Sequence, residues 1–327
     1  MSVKTYTQAV NEAIREEMRR DAGVVIFGED VAKHGGIFQA TKGLLEEFGG
    51  DRVKDAPIAE QAIVGTAIGA AATGLRPIAE VMYGDFLLVA FHEVYHMAAK
   101  WRFMHGDEFR IPMVIRAAQG SSFGAACEHS NCVEPLFTHS PGLTIISPTN
   151  AYDVKGLLKS AIRSNNPVLF LEHKQFYKTK MEVPDEEYTL PIGVAQTRRE
   201  GRDCTVVAIG LMVGRALEAA DILAKEGVEV EVIDPRTIAP MDYDAIYKSV
   251  AKTHRLVVAE ESNLTNGLGA EISARVMENA FFELDAPVGR VASLDVPVPY
   301  NVELEKQVVP SVEKIAEAVR SAVGVRV

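Results

Sequence analysis

Short apolar runs alternate with longer segments of helical period along the first half of the chain. The short runs, rich in β-branched and aliphatic residues, predict five strands: VVIF (24–27), PIAEVM (77–82), PMVIR (112–116), TIIS (144–147) and PVLFLE (167–172). The longer segments predict helices near 61–75, 85–104 and 150–163, the last with Asn150 as its N-cap. Strands that alternate with helices in this way predict an open, mainly parallel sheet covered on both faces.

A second α/β series occupies the last third of the chain. Its predicted elements are strands at TVVAIG (205–210), VEVEVID (228–234), RLVVAE (255–260) and VASLDV (291–296), a helix through Leu223 and a terminal helix near 311–323. The segment that starts at Lys178 is charged, contains two prolines and follows neither period, which indicates a linker. We therefore expect an α/β domain over 1–178, a linker over 179–200 and a second α/β domain over 201–327.

The N-terminal segment also has a helical period, in which Tyr6, Val10 and Met18 recur between charged residues. It lacks the apolar core of a secretory signal, so we expect a folded helix there rather than a targeting segment. No stretch of the chain approaches the roughly 18 consecutive apolar residues that a membrane span requires. We expect a cytoplasmic protein.

Composition and charge narrow the possible partners. The 327 residues are 47% hydrophobic and 24% charged, which is typical of globular domains and disfavours disordered or coiled-coil classes. The 34 basic and 45 acidic side chains give a formal charge of −11, which repels nucleic acid and anionic membranes. The three cysteines, Cys127, Cys132 and Cys204, are too few for a disulfide framework and suit a reducing compartment.

Two segments resemble metal sites. The string from His92 through Glu93 to His96 matches H-E-x-x-H, in which two histidines on one helical face bind zinc, so a zinc-dependent hydrolase is one alternative. No third ligand stands out downstream, and the extension H-x-x-G-x-x-H is absent. The segment 127–132, which contains two cysteines and His129, lacks a fourth ligand. Zinc chemistry is the less favoured interpretation at both places.

The chain lacks the common phosphate-binding motifs, with no G-x-x-x-x-G-K-[ST] and no G-x-G-x-x-G between a strand and a helix. Glu60 instead begins a helix on which Ala62, Gly65, Gly69 and Ala72 share one face, and small residues let another backbone approach closely. The alternative is a buried Ala/Gly helix with a solvated Glu60, which the helix dipole stabilises. The residues leave both interpretations open.

A set of short segments, in a fixed order, carries a family resemblance. These are GEDVA (28–32), Glu60-x4-Gly65-x3-Gly69, GLRPIAE (74–80), AAK (98–100), HSN (129–131), THSPGL (138–143), KGLLKSAIRSNNPV (155–168), IDPRTIAPMD (233–242) and VPVPYN (296–301). Together they resemble the β subunit of the thiamine-diphosphate-dependent decarboxylating component of 2-oxo acid dehydrogenase complexes, which includes the pyruvate, branched-chain and acetoin enzymes. The resemblance implies a transketolase-like pyrimidine-binding domain followed by a transketolase C-terminal domain.

The resemblance also implies partners and cofactors. Related enzymes bind Mg²⁺ and the diphosphate through G-D-G followed by N-N, and this chain has no G-D-G. The resemblance therefore implies an α subunit that holds both groups in an α₂β₂ tetramer, and a lipoyl acyltransferase core on which the second domain docks. It further implies a potassium site made of main-chain carbonyls, although a serine replaces an acid found there in some relatives. These carbonyls belong to Met113, Ala161, Ile162, Ser164 and Asn166.

Four side chains match the family's active site. Glu60 matches the carboxyl group that hydrogen-bonds N1′ of the aminopyrimidine and favours its imino tautomer. His129 matches a histidine associated with proton handling and with acyl transfer to the lipoyl arm, roles suited to a group that titrates near neutrality. Met82 and Phe86 match positions that pack against the pyrimidine, where soft and aromatic side chains suit a flat ring.

The resemblance implies an oxidoreductase that decarboxylates a 2-oxo acid, or cleaves acetoin, and passes the acyl group to lipoamide. The substrate stays open among pyruvate, branched-chain 2-oxo acids and acetoin, because part of the pocket belongs to the partner. A non-enzymatic alternative is a scaffold subunit that only completes the partner's fold.

Overall fold

The computed structural model describes residues 1–324. Its strands are β1 (Ser2–Thr5), β2 (Val24–Gly28), β3 (Val53–Asp55), β4 (Arg76–Tyr83), β5 (Val114–Gln119), β6 (Thr144–Ile146), β7 (Val168–His173), β8 (Lys180–Val183), β9 (Gln196–Arg199), β10 (Cys204–Ala208), β11 (Val230–Asp234), β12 (Thr237–Ala239), β13 (Leu256–Asn263) and β14 (Gly289–Ser293). Its α-helices are α1 (Tyr6–Arg20), α2 (Leu44–Phe48), α3 (Glu60–Ala72), α4 (Ala99–Met104), α5 (Glu134–Thr138), α6 (Ala151–Arg163), α7 (Met212–Ala224), α8 (Tyr243–Thr253), α9 (Leu268–Asn279), α10 (Val302–Val308) and α11 (Val312–Val323).

The chain divides into two compact units. The first contains Met1–Gln119, Leu136–Ile192 and Ile238–Pro240. Its main sheet has seven strands in the order β12-β6-β7-β5-β4-β2-β3, and β2 to β7 pair in parallel. Strand β3 lies on one side of β2 and strand β4 lies on the other, so the strand order reverses at β2. Ligands of open α/β sheets bind at such a switch point, beyond the carboxyl ends of the strands.

The local sequence explains the elements around this sheet. Every residue of β5 and β7 is buried, as expected for central parallel strands covered on both faces. Asn150 caps α6 as predicted, because its side chain accepts a hydrogen bond from the Asp153 amide at 2.9 Å. Helix α1 begins with a capping box in which Thr5 and Gln8 satisfy each other's backbone amides.

The core of the first unit contains a charged cluster. The Arg116 guanidinium donates to Glu172 at 2.6 and 2.9 Å and to Glu80 at 2.5 Å, and the Arg116 side chain is 2% exposed. Burial opposes the charge of Arg116, but the two carboxylates raise its pKa above the ordinary value. Each charge therefore has a counter-charge, which is the condition for keeping charged groups in a core.

The second unit contains Gly120–Pro135, Gly193–Thr237 and Met241–Val327. Its sheet has the order β14-β13-β10-β11-β9, in which β9 alone among the described strands of this sheet runs antiparallel to its neighbour. Helices α7 and α11 cover one face of this sheet, and the apolar residues that pack together there include Ala216 of α7, Val232 of β11 and Ile315 of α11. No helix within residues 1–324 is long and apolar enough to cross a membrane.

The predicted strands and most predicted helices are confirmed, with ends that shift by a few residues. The predicted helix 85–104 is instead divided into a 3₁₀ turn (Gly84–Leu88), a π-helical stretch (Glu93–Ala98) and α4. The segment 179–200 contains two strands, β8 and β9, which apolar periodicity did not show. Strand β8 forms because it pairs antiparallel with β1, so its partner lies almost 180 residues away in sequence.

Candidate active site

Three neighbouring strands of the first unit end at the switch point. Glu29 directly follows β2, helix α3 starts at Glu60 in the connection after β3, and Met82 lies near the end of β4. The registers align these ends, because Gly28 pairs with Asp55 on one side and with Glu80 on the other. Residues from three separate segments therefore reach the same edge of the sheet.

Two buried carboxyl groups lie close to each other at this edge. Glu60 is 6% exposed and Glu29 is 7% exposed. Burial raises the pKa of Glu29 above its ordinary value, and the negative charge of Glu60 makes a second, smaller contribution in the same direction. The Glu29 Oε1 atom has no hydrogen-bond partner among the described residues. This oxygen lacks the donor that a buried polar atom normally has.

Helix α3 exposes part of its small-residue face. Its buried side combines larger residues that include Ile63, Val64 and Ile68 with two alanines, whereas Ala62 and Gly69 are exposed. A side chain at Gly69 would meet no described atom within 4 Å. The interpretation of a buried Ala/Gly helix with a solvated Glu60 is therefore wrong, because the small face is open and Glu60 is buried.

Met82 and Phe86 lie at the end of β4 and in the 3₁₀ turn that follows it, and both are half-buried. The Phe86 ring meets the Tyr83 ring edge-to-face with 5.6 Å between centroids, and Tyr83 in turn meets Phe38 at 6.2 Å. Burial raises the pKa of Tyr83. These aromatic contacts provide the flat, apolar surroundings that suit a heteroaromatic ring. The sequence reasoning did not identify Glu29 or Tyr83 as site residues, and only the GEDVA segment hinted at the first.

His129 lies in the second unit, within the segment 120–131 that leaves β5, which we call the histidine loop. The loop is closed at its base, where the Gly120 amide donates to the Asn131 carbonyl at 3.2 Å. His129 is half-buried, and its amide donates to the Ala126 carbonyl at 3.4 Å. The adjacent Ser130 hydroxyl is buried and has no hydrogen-bond partner among the described residues.

The H-E-x-x-H string does not form a metal site. His92 and His96 are exposed, and the Nδ1 atom of His96 lies 3.3 Å from the Nζ atom of Lys100. Glu93 accepts a hydrogen bond from the Gln61 side chain at 2.9 Å. Residues 1–324 contain no group of three or more His, Cys, Asp or Glu side chains placed to hold a metal ion. The zinc hydrolase interpretation is therefore not supported.

The five carbonyls of the expected potassium site do not fit that ion as a set. The Arg76 guanidinium donates to the Ile162 and Ser164 carbonyls at 3.1 and 2.9 Å, so a cation from the chain already occupies both. The other three carbonyls each accept one hydrogen bond from an amide or hydroxyl group: Met113 from Val168, Ala161 from Ser164 and Asn166 from Ser164. A second cation between these groups would be repelled by the guanidinium.

Two family models match the chain. Residues 2–180 match the transketolase pyrimidine binding domain, and residues 193–315 match the transketolase C-terminal domain. Among solved structures, a split-gene transketolase described as an inactive β4 tetramer has a TM-score of 0.81 at 22% identity and covers 98% of this chain and 99% of its own. At that identity the likeness shows the fold, which agrees with the two sheets described above.

Curated relatives are similar over almost the whole chain. The β subunit of acetoin:2,6-dichlorophenolindophenol oxidoreductase of Cupriavidus necator is 47% identical, with 95% of each chain covered. The β subunit of 2-oxoisovalerate dehydrogenase of Bacillus subtilis is 44% identical, with 98% of each covered. The mitochondrial pyruvate dehydrogenase E1 β subunit of Mus musculus is also 44% identical, with 98% of this chain and 91% of its own covered. The chain therefore belongs to the family of β subunits of the thiamine-diphosphate-dependent E1 oxidoreductases that act on 2-oxo acids and acetoin.

Proposed function

We propose that this chain supplies the aminopyrimidine half of the active site of an E1 enzyme. In this proposal the enzyme decarboxylates a 2-oxo acid oxidatively, or cleaves acetoin, and transfers the acyl group to lipoamide. When bound, thiamine diphosphate supplies the nucleophile and the electron sink that the chain itself lacks. The observation that carries the proposal is the pair of buried carboxyl groups at the switch point, Glu29 and Glu60, in which Glu29 Oε1 has no hydrogen-bond partner among the described residues.

The aminopyrimidine fits these carboxyl groups. Two acids that share a buried site cannot both ionise cheaply, and burial together with the charge of Glu60 raises the pKa of Glu29, which favours a proton on that group. A heteroaromatic ring that carries a basic nitrogen and an amino group supplies both an acceptor for that proton and new donors. Glu60 would hold the proton at the ring nitrogen N1′, and Glu29 would sustain the protonated state through its negative field. Met82 and Phe86 would orient the ring by packing against its faces.

His129 has a separate proposed role, which is to transfer protons during the reaction and during acyl transfer to the lipoyl group. An imidazole can donate and accept at neutral pH, and the loop around it is built of small residues that let a ligand approach. The Ser130 hydroxyl beside it, which has no hydrogen-bond partner among the described residues, offers a further polar contact.

We propose that the partner α subunit holds Mg²⁺ and the diphosphate, and that the assembly is an α₂β₂ tetramer docked on a lipoyl acyltransferase core. The β-subunit names of the relatives and the absence of G-D-G from this chain support the partner. The cytoplasmic location stays a prediction. Identities of 43–47% to acetoin, branched-chain and pyruvate enzymes do not separate the substrates.

The test is to reconstitute this chain with a candidate α subunit, thiamine diphosphate and Mg²⁺. Reduction of a dye acceptor would be measured with pyruvate, branched-chain 2-oxo acids and acetoin, and cofactor binding by calorimetry. We expect turnover with at least one substrate and a loss of about 10²–10⁴-fold in Glu60→Gln, the range typical of removing a proton-transfer group.

Glu271→Gln is the matched control, because Glu271 is also an acid in the first turn of a helix but is exposed and lies in the second unit. Its turnover should match that of the unsubstituted protein. No turnover with any substrate, or unchanged turnover in Glu60→Gln, would contradict the proposal. Full activity in His129→Ala within a normal assembly would favour the scaffold alternative.

A further inference from the structure

Two buried carboxylates of the second unit hold the first half of the histidine loop. The Ser121 amide donates to Glu261 Oε1 at 2.6 Å, and the Gly124 amide donates to Glu305 Oε2 at 2.7 Å. Glu261 and Glu305 are each 7% exposed. Glu261 lies on β13 and Glu305 on α10, so two separate elements hold one loop through its backbone.

The loop needs external support because its backbone is strained. Phe123 and Ala126 have φ values of +53° and +62°, in the left-handed region that non-glycine residues rarely adopt. Such conformations are energetically unfavourable and persist only where surrounding contacts impose them. Gly124 lies between them at φ +74°, and a Cβ atom there would be 2.4 Å from the Tyr300 carbonyl oxygen. The loop is thus packed directly against the backbone that leads into α10.

The hydrogen bonds that the two carboxylates accept from the loop are expected to be strong, and we call these carboxylates the anchors of the loop. Hydrogen bonds from backbone amides to ionised carboxylates are short and about twice as strong as neutral ones. Arg215 supplies a nearby counter-charge, since the charges of Glu261 and Glu305 oppose the lowering of its pKa by burial. Because Arg215 also donates to the Pro310 carbonyl, this cation is itself fixed in place.

A short chain of contacts leads from the anchors to the histidine. Gly124 is two residues before Ala126, whose carbonyl accepts the His129 amide. On the far side, the Asn131 side chain donates to the Cys127 carbonyl at 2.6 Å. A displacement of the anchored half would therefore move the turn that carries His129.

We propose that Glu261 and Glu305 are positioning residues that act on the reaction through His129. This inference rests on the proposed function, because the role of His129 is part of it. The two carboxylates hold the strained loop in the one conformation in which the imidazole meets its reaction partner. A misplacement of about 1 Å can lower turnover by about 100-fold, so a backbone anchor is a sensitive control of rate.

The experiment uses the reconstituted α–β assembly with Glu261→Ala and Glu305→Ala. Hydrogen exchange of a peptide covering the histidine loop measures the anchors directly and does not depend on activity. We expect faster exchange in both variants and turnover that falls by about 10–100-fold. Glu305→Gln, which retains an acceptor oxygen, should recover most of the turnover.

Glu260→Ala is the matched control. Glu260 is adjacent to Glu261 and also accepts two backbone amides, those of Leu268 at 2.7 Å and Gly269 at 2.8 Å, but these belong to α9. This variant should raise exchange at the start of α9 while leaving exchange in the histidine loop and turnover close to those of the unsubstituted assembly.

The decisive measurement is a double-mutant cycle with His129→Ala. If the anchors act through the imidazole, Glu305→Ala will cause no further loss of turnover once His129 is absent. A fully additive loss, or unchanged loop exchange in the single variants, would overturn the inference. An assembly that shows the expected exchange changes but no turnover without substitutions would instead contradict the proposed function, so the two failures are distinguishable.

Discussion

The two pairs of buried acids in this chain have opposite surroundings. Glu261 and Glu305 accept backbone amides at 2.6 and 2.7 Å. Glu29 and Glu60 are equally buried, yet Glu29 Oε1 has no hydrogen-bond partner within residues 1–324. The first pair therefore organises the chain. The second pair contains a buried carboxyl oxygen that has no donor among the described residues, which is typical of a site that awaits a ligand.

Arg116 gives the strongest way to test this comparison, because it provides the donors for a third set of buried acids. Replacing it by methionine would leave Glu80 and Glu172 buried without a counter-charge. We expect Arg116→Met to lower the free energy of unfolding by about 3–5 kcal/mol, the usual result of removing one member of a buried ion pair. Urea unfolding of the assembly measures it, and a loss below about 1 kcal/mol would show that burial of these acids carries little cost.

The comparison itself predicts stability changes of opposite sign in the two pairs. Glu261→Ala removes the acceptor of a charge-assisted hydrogen bond and should destabilise the cofactor-free assembly by about 1.5–3 kcal/mol. Glu60→Gln removes a repulsive charge beside Glu29 and should leave the cofactor-free assembly equally or more resistant to heat. Thermal melting of both variants, compared at equal protein concentration, checks the two signs. If Glu60→Gln melts well below the unsubstituted assembly, then Glu60 is already satisfied within the chain.

The end of helix α6 offers a further test, because carbonyl groups there are satisfied by the side chain of Arg76. Arg76→Met would remove the cation from the Ile162 and Ser164 carbonyls and should cost about 1–3 kcal/mol. Potassium should then restore part of the melting temperature of this variant, while sodium should not. The unsubstituted assembly should respond equally to both salts. A specific stabilisation of that assembly by potassium would show that the five carbonyls do bind the ion.

The smallest expected effect is a change in the pH dependence of folding stability, and it comes from Glu29. Because its pKa is raised in the folded state, the folded chain binds this proton more tightly than the unfolded chain does. The contribution of Glu29 to the free energy of unfolding is fully present below its ordinary pKa of 4.5. It is lost as the pH rises through the pKa that Glu29 has in the folded chain. Glu29→Gln should therefore flatten the fall in urea midpoint above pH 4.5. An unchanged slope would indicate that Glu29 titrates normally.

Much of the fold follows from local patterns in the sequence. The strands of both sheets lie where short apolar runs occur, and Asn150 caps α6 as its residue type predicts. Helix α3 begins at Glu60, within one residue of the expected start. The region 85–104 differs because a π-helical stretch interrupts it, and residue periodicity does not distinguish that stretch from an α-helix.

The candidate site was only partly predictable. Glu60, Met82, Phe86 and His129 came from a family resemblance, since each residue type has an ordinary structural role at its position. Glu29 was missed because its meaning depends on the neighbouring strand ends, which sequence spacing does not show. The potassium carbonyls were assigned without knowing that Arg76 reaches them from 86 residues away.

Composition, periodicity and capping residues were enough to establish two α/β sheets, because hydrophobic burial and turn chemistry act over a few neighbouring positions. Which carboxyl groups are satisfied and which are not depended on the folded chain. Hydrogen bonds such as those from Ser121 to Glu261 join residues 140 positions apart. Pairings of that kind arise when sheets and helices pack, so the difference between an anchor and a binding group is a property of three-dimensional proximity rather than of residue type.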